Sequence, residues 1–431
     1  MAKKDNRHAE LVSASVNIDT PYELPEGWKW CRLGDVAEIA RGGSPRPIEK
    51  YITTEEDGIN WIKIGDAEKD GKYIFSTREK IIKEGLPKTR YVEEGDFLLT
   101  NSMSFGRPYI LKTSGCIHDG WLVIKKCTAY NQDFLYYLLS STSVFRQFAL
   151  LAKGSTVKNL KSETVRQVIL PLPTLTEQQR IVNRIETMFA KLDEAKEKAQ
   201  TVLDSFETRK AAILHKAFTG ELTVNWRKAN GVNDESWEEK KIGDCCKLGS
   251  GGTPSKSHPE YYENGDIPWL KTGEIDWNDI YDVEEKITKD GVENSSAKIY
   301  PAESVVVAMY GMGVTRGKAG ILKIPTTTNQ AVCVLQPDES LFNRFLFYYF
   351  MCNYWTFREK AVGGNQLNYS ATMISKWDIE LPSIPEQQEI VRILDTVLEK
   401  ERTAKEAAEQ VLEQIDLLKK SLLARAFRGE L

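Results

Sequence analysis

The stretch Pro173–Ile185, PTLTEQQRIVNRI, is spelled almost again as PSIPEQQEIVRIL at Pro382–Leu394, 209 positions later. Both copies read as a helix start. Thr174-x-x-Glu177 and Ser383-x-x-Glu386 have the capping-box pattern, and Pro385 falls in a first turn, where a missing N–H costs nothing. Moving outward at the same offset, Trp28 meets Trp237, LGD at Leu33–Asp35 meets IGD at Ile242–Asp244, and GGSP at Gly42–Pro45 meets GGTP at Gly251–Pro254. With small slips, WIKIGD from Trp61 meets WLKTGE from Trp269, and FLYYLL from Phe134 meets LFYYFM from Leu346. AFTGEL at Ala217–Leu222 meets AFRGEL at Ala426–Leu431. Solenoid repeats run roughly 20–50 residues. A period of 209 instead predicts two domain-sized units in tandem.

Downstream of each helix start the apolar residues recur in steps of four and three. The first copy runs Ile181, Ile185, Met188, Leu192, Ala195, Ala199, Val202, Phe206 and Ile213, broken only at Arg209. The second runs Ile390, Leu394, Val397, Ala404, Ala408, Val411, Ile415, Leu418 and Leu422, broken only at Glu401. A seam with period 3.5 predicts a coiled coil. The simplest partner for each stripe is the other, with Ala195/Ala199 and Ala404/Ala408 allowing close approach. Gly220 and Gly429 stand as helix stops just past Phe218 and Phe427.

Between the helices the text changes. YIFSTREKII, GDFLLTNSMSF and HDGWLVIKK in the first copy, with ESVVVAMYGMG and TTTNQAVCVLQ in the second, read as short strands punctuated by turns. One helix is expected around DFLYYLLSSTSVFRQFA and one around RFLFYYFMCNYWTFRE. The expected fold is α+β: two globular domains with mainly antiparallel sheet, joined by two long helices in an antiparallel intramolecular coiled coil, with pseudo-two-fold repetition. The expected boundaries are an N-terminal arm at 1–23, a first domain at 24–173, a central helix at 174–222, a second domain with a short leading linker at 223–382, and a C-terminal helix at 383–431.

Composition narrows the class. Charged residues are 28% and hydrophobic ones 41%, ordinary for a globular protein. No apolar run approaches the roughly 20 residues that span a bilayer. Seven cysteines, without CxxC spacing, read as free thiols in a reducing compartment, hence a cytoplasmic protein without a membrane. Four histidines lack ligand spacing, so no metal site is expected. A net charge of -4 excludes a surface coated for nucleic acid but not local basic loops.

Catalytic signatures are missing. GMGVTRGKAG has Met312 where a phosphate loop needs glycine and Ala319 after the lysine. GSGGTP from Gly249 lacks the third glycine of a dinucleotide fingerprint. No GxSxG, HExxH, zinc spacing or Asn-Pro-Pro-aromatic methyltransferase motif is present. The chain reads as one that binds and positions. By contrast, the loops differ most between the copies: NSMSFGRPYI stands opposite YGMGVTRGKAGI, and KGSTVKNLK opposite GGNQLNYSA. Arg, Lys, Asn, Gln, Ser and Thr beside glycine are the side chains that bond base edges and phosphates.

LPEGWKWCRLGDVAEIARGGSP, INWIKIGD, LPLPTLTEQQRIVNRI and RKAAILHKAFTGEL, each with a second copy, resemble the DNA-recognition (specificity) subunit of type I restriction-modification systems, over about Leu24–Leu431. The resemblance implies a non-catalytic chain whose two target recognition domains read the halves of a bipartite double-stranded DNA site. It implies a coiled coil that spaces those domains and docks two modification (methyltransferase) subunits. S-adenosylmethionine, ATP and Mg are then expected on the modification and restriction subunits, not on this chain. Candidate DNA-contacting residues are Arg46, Lys63, Ser102, Ser104, Arg107, Lys153, Ser155 and Lys158 in the first copy. In the second they are Thr253, Ser255, Lys256, Lys271, Tyr310, Thr315, Arg316, Lys318, Asn365, Gln366 and Asn368. Gly42, Gly43, Gly251 and Gly252 read as turn glycines, and Tyr136/Tyr137 and Tyr348/Tyr349 as packing groups. Two other readings stay open: part of a self-contained methyltransferase or restriction enzyme, and a coiled-coil adaptor without a nucleic-acid role.

Overall fold

The computed structural model describes residues 22–101, 105–151, 159–233, 236–311, 313–359 and 368–431. The chain forms two compact units. Unit 1 runs through Gln200 and adds Gln410–Leu431, and unit 2 is Thr201–Glu409. The central helix, Leu175–Phe218, and the C-terminal helix, Ile384–Ala426, therefore each begin in one unit and end in the other.

In unit 1 the main sheet has the order Ile39–Arg41, Trp121–Ile124, Phe97–Thr100, Pro108–Leu111, Tyr73–Ile74. In unit 2 the order is the same: Cys246–Ser250, Val332–Pro337, Val305–Ala308, Ala319–Leu322, Asn278–Ile280. Pairing is antiparallel except at the last neighbours, Tyr73–Ile74 with Pro108–Leu111 and Asn278–Ile280 with Ala319–Leu322, which are parallel. Alternation along these strands assigns them to the middle layer. Phe97, Leu99, Ile110, Leu122 and Ile124 face a core shared with helices, while Leu98, Tyr109, Leu111, Trp121 and Val123 face a second sheet. Val305, Val307, Ile321 and Leu335 against Val306, Ala308, Leu322 and Val334 repeat the division in unit 2.

The second sheet holds Glu79–Ile81, Ile59–Ile62 and Gly115–Ile117 as neighbours in unit 1, matched by Lys286–Ile287, Ile267–Leu270 and Thr327–Thr328 in unit 2. Unit 1 adds edge strands Ile52–Thr53 and Arg90–Val92. A two-stranded ribbon, Lys29–Arg32 with Ile169–Leu172 or Glu238–Lys241 with Asp378–Leu381, then delivers the chain to each long helix. Each copy carries two helices where one was expected: Gln132–Leu139 and Thr142–Leu151, then Asn343–Cys352 and Tyr354–Glu359. Polar side chains make the break. Ser140 Oγ donates to the Tyr136 carbonyl (2.8 Å) and Asn353 Nδ2 to the Tyr349 carbonyl (3.1 Å).

The repeated Glu-Gln-Gln turns on its first glutamine. Gln178 is fully buried. Its Nε2 donates to the Ala129 and Pro173 carbonyls (3.0 Å each) and its Oε1 accepts from the Asn131 N–H at 2.6 Å. Gln387 repeats this on the Ser340 and Pro382 carbonyls and the Phe342 N–H. One side chain thus ties the start of the long helix to the loop that launches the sheet-covering helix. The glutamates depart from the capping-box expectation. Thr174 Oγ1 does accept the Glu177 N–H (3.3 Å), but the Glu177 carboxylate turns outward to Arg180. Glu386 is buried and accepts from Thr223 Oγ1 (2.6 Å), Arg227 Nη1 (2.7 Å) and Trp237 Nε1 (3.3 Å). A buried carboxylate needs a cation more than a helix end needs a cap.

Within both units the long helices run antiparallel against each other. In unit 1, Lys419 pairs with Asp193 and lies over the Phe189 ring. In unit 2, Lys405 lies over Phe206, and Arg209 Nε donates to Glu401 Oε2 at 2.8 Å. The two charged breaks in the apolar stripes are thus partners. Such a half-buried pair penalises any register that separates the charges. Ile181, Ile185, Ile390, Leu394 and Ile415 are buried, and Met188, Leu192, Val202, Phe206 and Val397 half-buried. Val411 and Leu418, assigned to the seam from their apolarity, are exposed at 37% and 49%. The stripe there is Glu401, Lys405, Ala408, Leu412, Ile415, Lys419 and Leu422. Lysine stems spread on aromatic rings hold positions that an apolar count skips.

Replacing Gln387 by Ala strips the half-buried Phe342 N–H and Ser340 carbonyl and the buried Pro382 carbonyl of their partner. Urea unfolding of the full chain should register a loss of about 1–3 kcal/mol. Gln388→Ala, at an exposed neighbour, should stay within about 0.5 kcal/mol.

Candidate nucleic-acid interface

The described ends of the variable loops meet at one end of each unit's main sheet. In unit 1 the GGSP loop is pinned by the Gly42 N–H on the Trp121 carbonyl and the Gly43 N–H on the Ile117 carbonyl. The glycines serve close approach rather than a turn: a Cβ on Gly42 would lie 2.2 Å from the His118 carbonyl oxygen, and one on Gly251 1.8 Å from that of Thr328. The Asn101 N–H donates to the Gly120 carbonyl (3.0 Å) and the Leu160 N–H to the Asn101 carbonyl (2.9 Å). Three loops therefore converge on residues 118–120. In unit 2, Gly252 N–H on Thr328, Met309 N–H on Ala331 (2.9 Å) and Tyr369 N–H on Met309 (3.1 Å) make the same convergence on 329–331.

At the centre of the first convergence sits Asp119. Its Oδ1 accepts from Ser44 Oγ (3.0 Å), and Oδ2 faces Arg46 at 3.6 Å. The Gly120 N–H donates to His118 Nδ1, and His118 Nε2 lies 3.0 Å from Asp119 Oδ1. The Asp119 carbonyl accepts from Asn101 Nδ2 (2.7 Å) and Arg41 Nε (3.1 Å). Gln330 holds the matching place in unit 2, and its Oε1 accepts from Thr253 Oγ1. Nothing in HDG or NQA marks these residues as more than turn formers, and neither was singled out from the sequence.

The candidate cations occupy matched places too. The Thr100 N–H donates to the Arg107 carbonyl, and the Ala308 N–H to the Lys318 carbonyl. Arg107 Nη2 pairs with Asp70 (3.1 Å) and Lys318 Nζ with Asp276 (2.5 Å). Both aspartates are largely exposed, at 92% and 69%, so either cation can exchange its partner at little cost. Lys63 and Lys271 each donate a main-chain N–H to a carboxylate three residues on, Asp66 or Glu274, and pair through Nζ with Glu79 or Glu285. The hydrogen bond to Glu285, with burial opposing it, raises the Lys271 pKa.

Arg316 lies over the Tyr369 ring; burial raises the tyrosine pKa against the opposing pull of that guanidinium. Its loop is braced from behind by Arg358, whose Nη1 donates to the Arg316 carbonyl and Nη2 to the Gly313 carbonyl, 2.7 Å each, and by the Tyr354 hydroxyl on the Val314 carbonyl. Tyr310 and Thr315 are half-buried in the same loop, and Asn368 keeps a buried Oδ1 without a partner. Ser255 bonds Ser257, and Lys256 is exposed beside it. Ser102, Ser104, Lys153, Ser155, Lys158, Asn365 and Gln366 lie outside the described residues. Tyr137 and Tyr348 reach their long helices, with hydroxyls on Glu186 (3.4 Å) and Asp395 (2.5 Å).

Among the described residues no His, Cys, Asp and Glu are grouped to hold a metal ion, and no helix is long and apolar enough to cross a membrane. Burial pushes the Cys116 thiol up to about 11 and Cys333 to about 12, so both stay protonated and poorly nucleophilic near neutral pH.

The type I restriction modification DNA specificity domain matches this chain twice, at residues 25–203 and 234–414. The chain belongs to that family. It is 24% identical over 391 residues to the type I restriction enzyme MjaIX specificity subunit of Methanocaldococcus jannaschii, covering 88% of each chain. To the EcoBI specificity subunit of Escherichia coli it is 24% identical over 446 residues, covering 96% of this chain and 88% of the relative. The HsdS subunit from Thermoanaerobacter tengcongensis shares the fold with a TM-score of 0.69 at 20% identity, over 95% of this chain and 99% of that one. A chain from a structure on assembly and conformational transition of the type I R-M system superposes with a TM-score of 0.71 at 20% identity, over 95% of this chain and all of that one.

Arg358→Lys removes the planar fork that holds two carbonyls of the 313–318 segment. Hydrogen exchange there should quicken roughly tenfold or more, while exchange in Val305–Ala308 stays unchanged.

Proposed function

We propose that this chain is the non-catalytic specificity subunit of a cytoplasmic type I restriction-modification complex, and that it reads a bipartite double-stranded DNA site with one unit per half. The observation that carries this is the matched pair of loop ends. The main-chain contacts are matched, and the side chains beside them differ: Ser44, Arg46 and Asp119 against Thr253, Ser255 and Gln330, while Arg107 and Lys318 put a cation in the same place in both. A shared frame with unlike side chains recognises two unlike half-sites. The exposed outer faces of the long helices are the docking surface for two modification subunits. S-adenosylmethionine, ATP and Mg act on those and on the restriction subunits. The antiparallel helices set the spacing between half-sites.

The test is selection from random duplex DNA by the chain assembled with its modification subunits. It should return one gapped motif, and methylome sequencing of the host should show adenine methylation in the same motif. Selection of no bipartite site would leave the adaptor reading, and sustained methyl transfer by the isolated chain would reverse the non-catalytic one. Arg107→Ala and Lys318→Ala should weaken binding to all sequences alike, each lowering the slope of log K against log salt by about 1.

A further inference from the structure

Both units place one side chain where their three loops meet, and nothing in the family match assigns it a role. Residues 119 and 330 are equivalent by three independent contacts. Each stands two residues after the strand end paired with Ile62 or Leu270, each is followed by the carbonyl that takes the Asn101 or Met309 N–H, and each accepts a hydroxyl from the GGSP or GGTP loop. A hydroxyl staple uses one acceptor atom. What remains of the side chain differs between the units.

At Asp119, Oδ1 takes Ser44 and lies 3.0 Å from His118 Nε2, leaving Oδ2 with Arg46 at 3.6 Å, a cation whose side chain is 83% exposed. A carboxylate oxygen only accepts, so the base group it suits is an exocyclic amine, cytosine N4 or adenine N6. At Gln330, Oε1 takes Thr253 and keeps a second lone pair, while Nε2 has no partner among the described residues on an exposed side chain. A free amide donor beside an acceptor is the pair that matches adenine N7 and N6. Flexible, unbraced residues read bases poorly, because ordering them consumes binding energy. These two are already held at one atom.

We propose that Asp119 and Gln330 are specificity-determining residues, one per half-site. Asp119 accepts a cytosine or adenine amino group, and Gln330 pairs with an adenine edge. This rests on the reading of the chain as a DNA-specificity subunit, and the experiment separates the two. The chain assembled with its modification subunits is challenged with random duplex DNA, as wild type and as Gln330→Ala, Asp119→Asn and Thr253→Val. Gln330→Ala should lose discrimination at one base pair of one half-site by a factor of roughly ten to a hundred. Asp119→Asn keeps the acceptor for Ser44 but gains a donor, so preference should change at one base pair of the other half-site. Thr253→Val, which releases the staple, should blur the position that Gln330 reads. Variants that keep the wild-type preference at every position overturn the proposal, as does a loss of affinity uniform over all sequences, which is the mark of a loop brace. A wild-type complex that selects no gapped site overturns the functional reading itself.

Discussion

The structure depends on each core being completed by the far end of the helix that the other unit starts. Leu423, Ala426 and Phe427 lie in one core with Ile181, Val182 and Ile185, and Phe427 meets Phe134 edge to face at 5.3 Å. Leu214 and Ala217 lie in the other with Ile390, Val391 and Leu394, where Phe218 packs on Phe345. A helix of 43 or 44 residues with so polar an outer face is poorly stable alone, and most of its stability comes from tertiary burial. Anchoring both ends in apolar cores, with Gln178 and Gln387 fastening the starts, supplies that burial without making the middle greasy. The middle is held by smaller terms: alanines, lysine stems on Phe189 and Phe206, and the Arg209–Glu401 pair.

Much of this was legible because the chain states it twice. The repeat predicted two units, and the stripes predicted two paired helices with their breaks at Arg209 and Glu401. What the letters did not reveal is which positions a charged residue can hold. Lys405 and Lys419 sit on the inner face because a long aliphatic stem covers a ring while the ammonium stays wet, so Val411 and Leu418 were displaced outward. Glu386 looked like a helix cap because capping depends on spacing, whereas its real partners, Thr223 and Arg227, come from a segment 159 to 163 residues away. Long-range polar pairing has no local signature.

The candidate interface divides the same way. Variable, glycine-flanked loops announced where unlike side chains are displayed, and the structure draws 44–46, 101, 118–120 and 160 to one place in unit 1 and their described counterparts to one place in unit 2. Composition did not distinguish the residues that face outward from those that brace. Arg358 and Tyr354 hold a loop from behind, Lys63 and Lys271 are engaged by carboxylates, and Asp119 and Gln330 hide inside what reads as a turn. A slightly acidic protein can still present cations locally, since Arg107 and Lys318 are matched only by exposed aspartates.

The crossing of the helices also sets a timetable for synthesis. Unit 2 is one continuous run, Thr201–Glu409, and can close as soon as that run leaves the ribosome. Unit 1, translated first, cannot: its core awaits Leu423–Phe427, and the Tyr22 hydroxyl finds its acceptor on Phe427, 405 residues downstream. The unit that is begun first is therefore the later of the two to mature, and its apolar seat stays unfilled until the far end of the second long helix has been made.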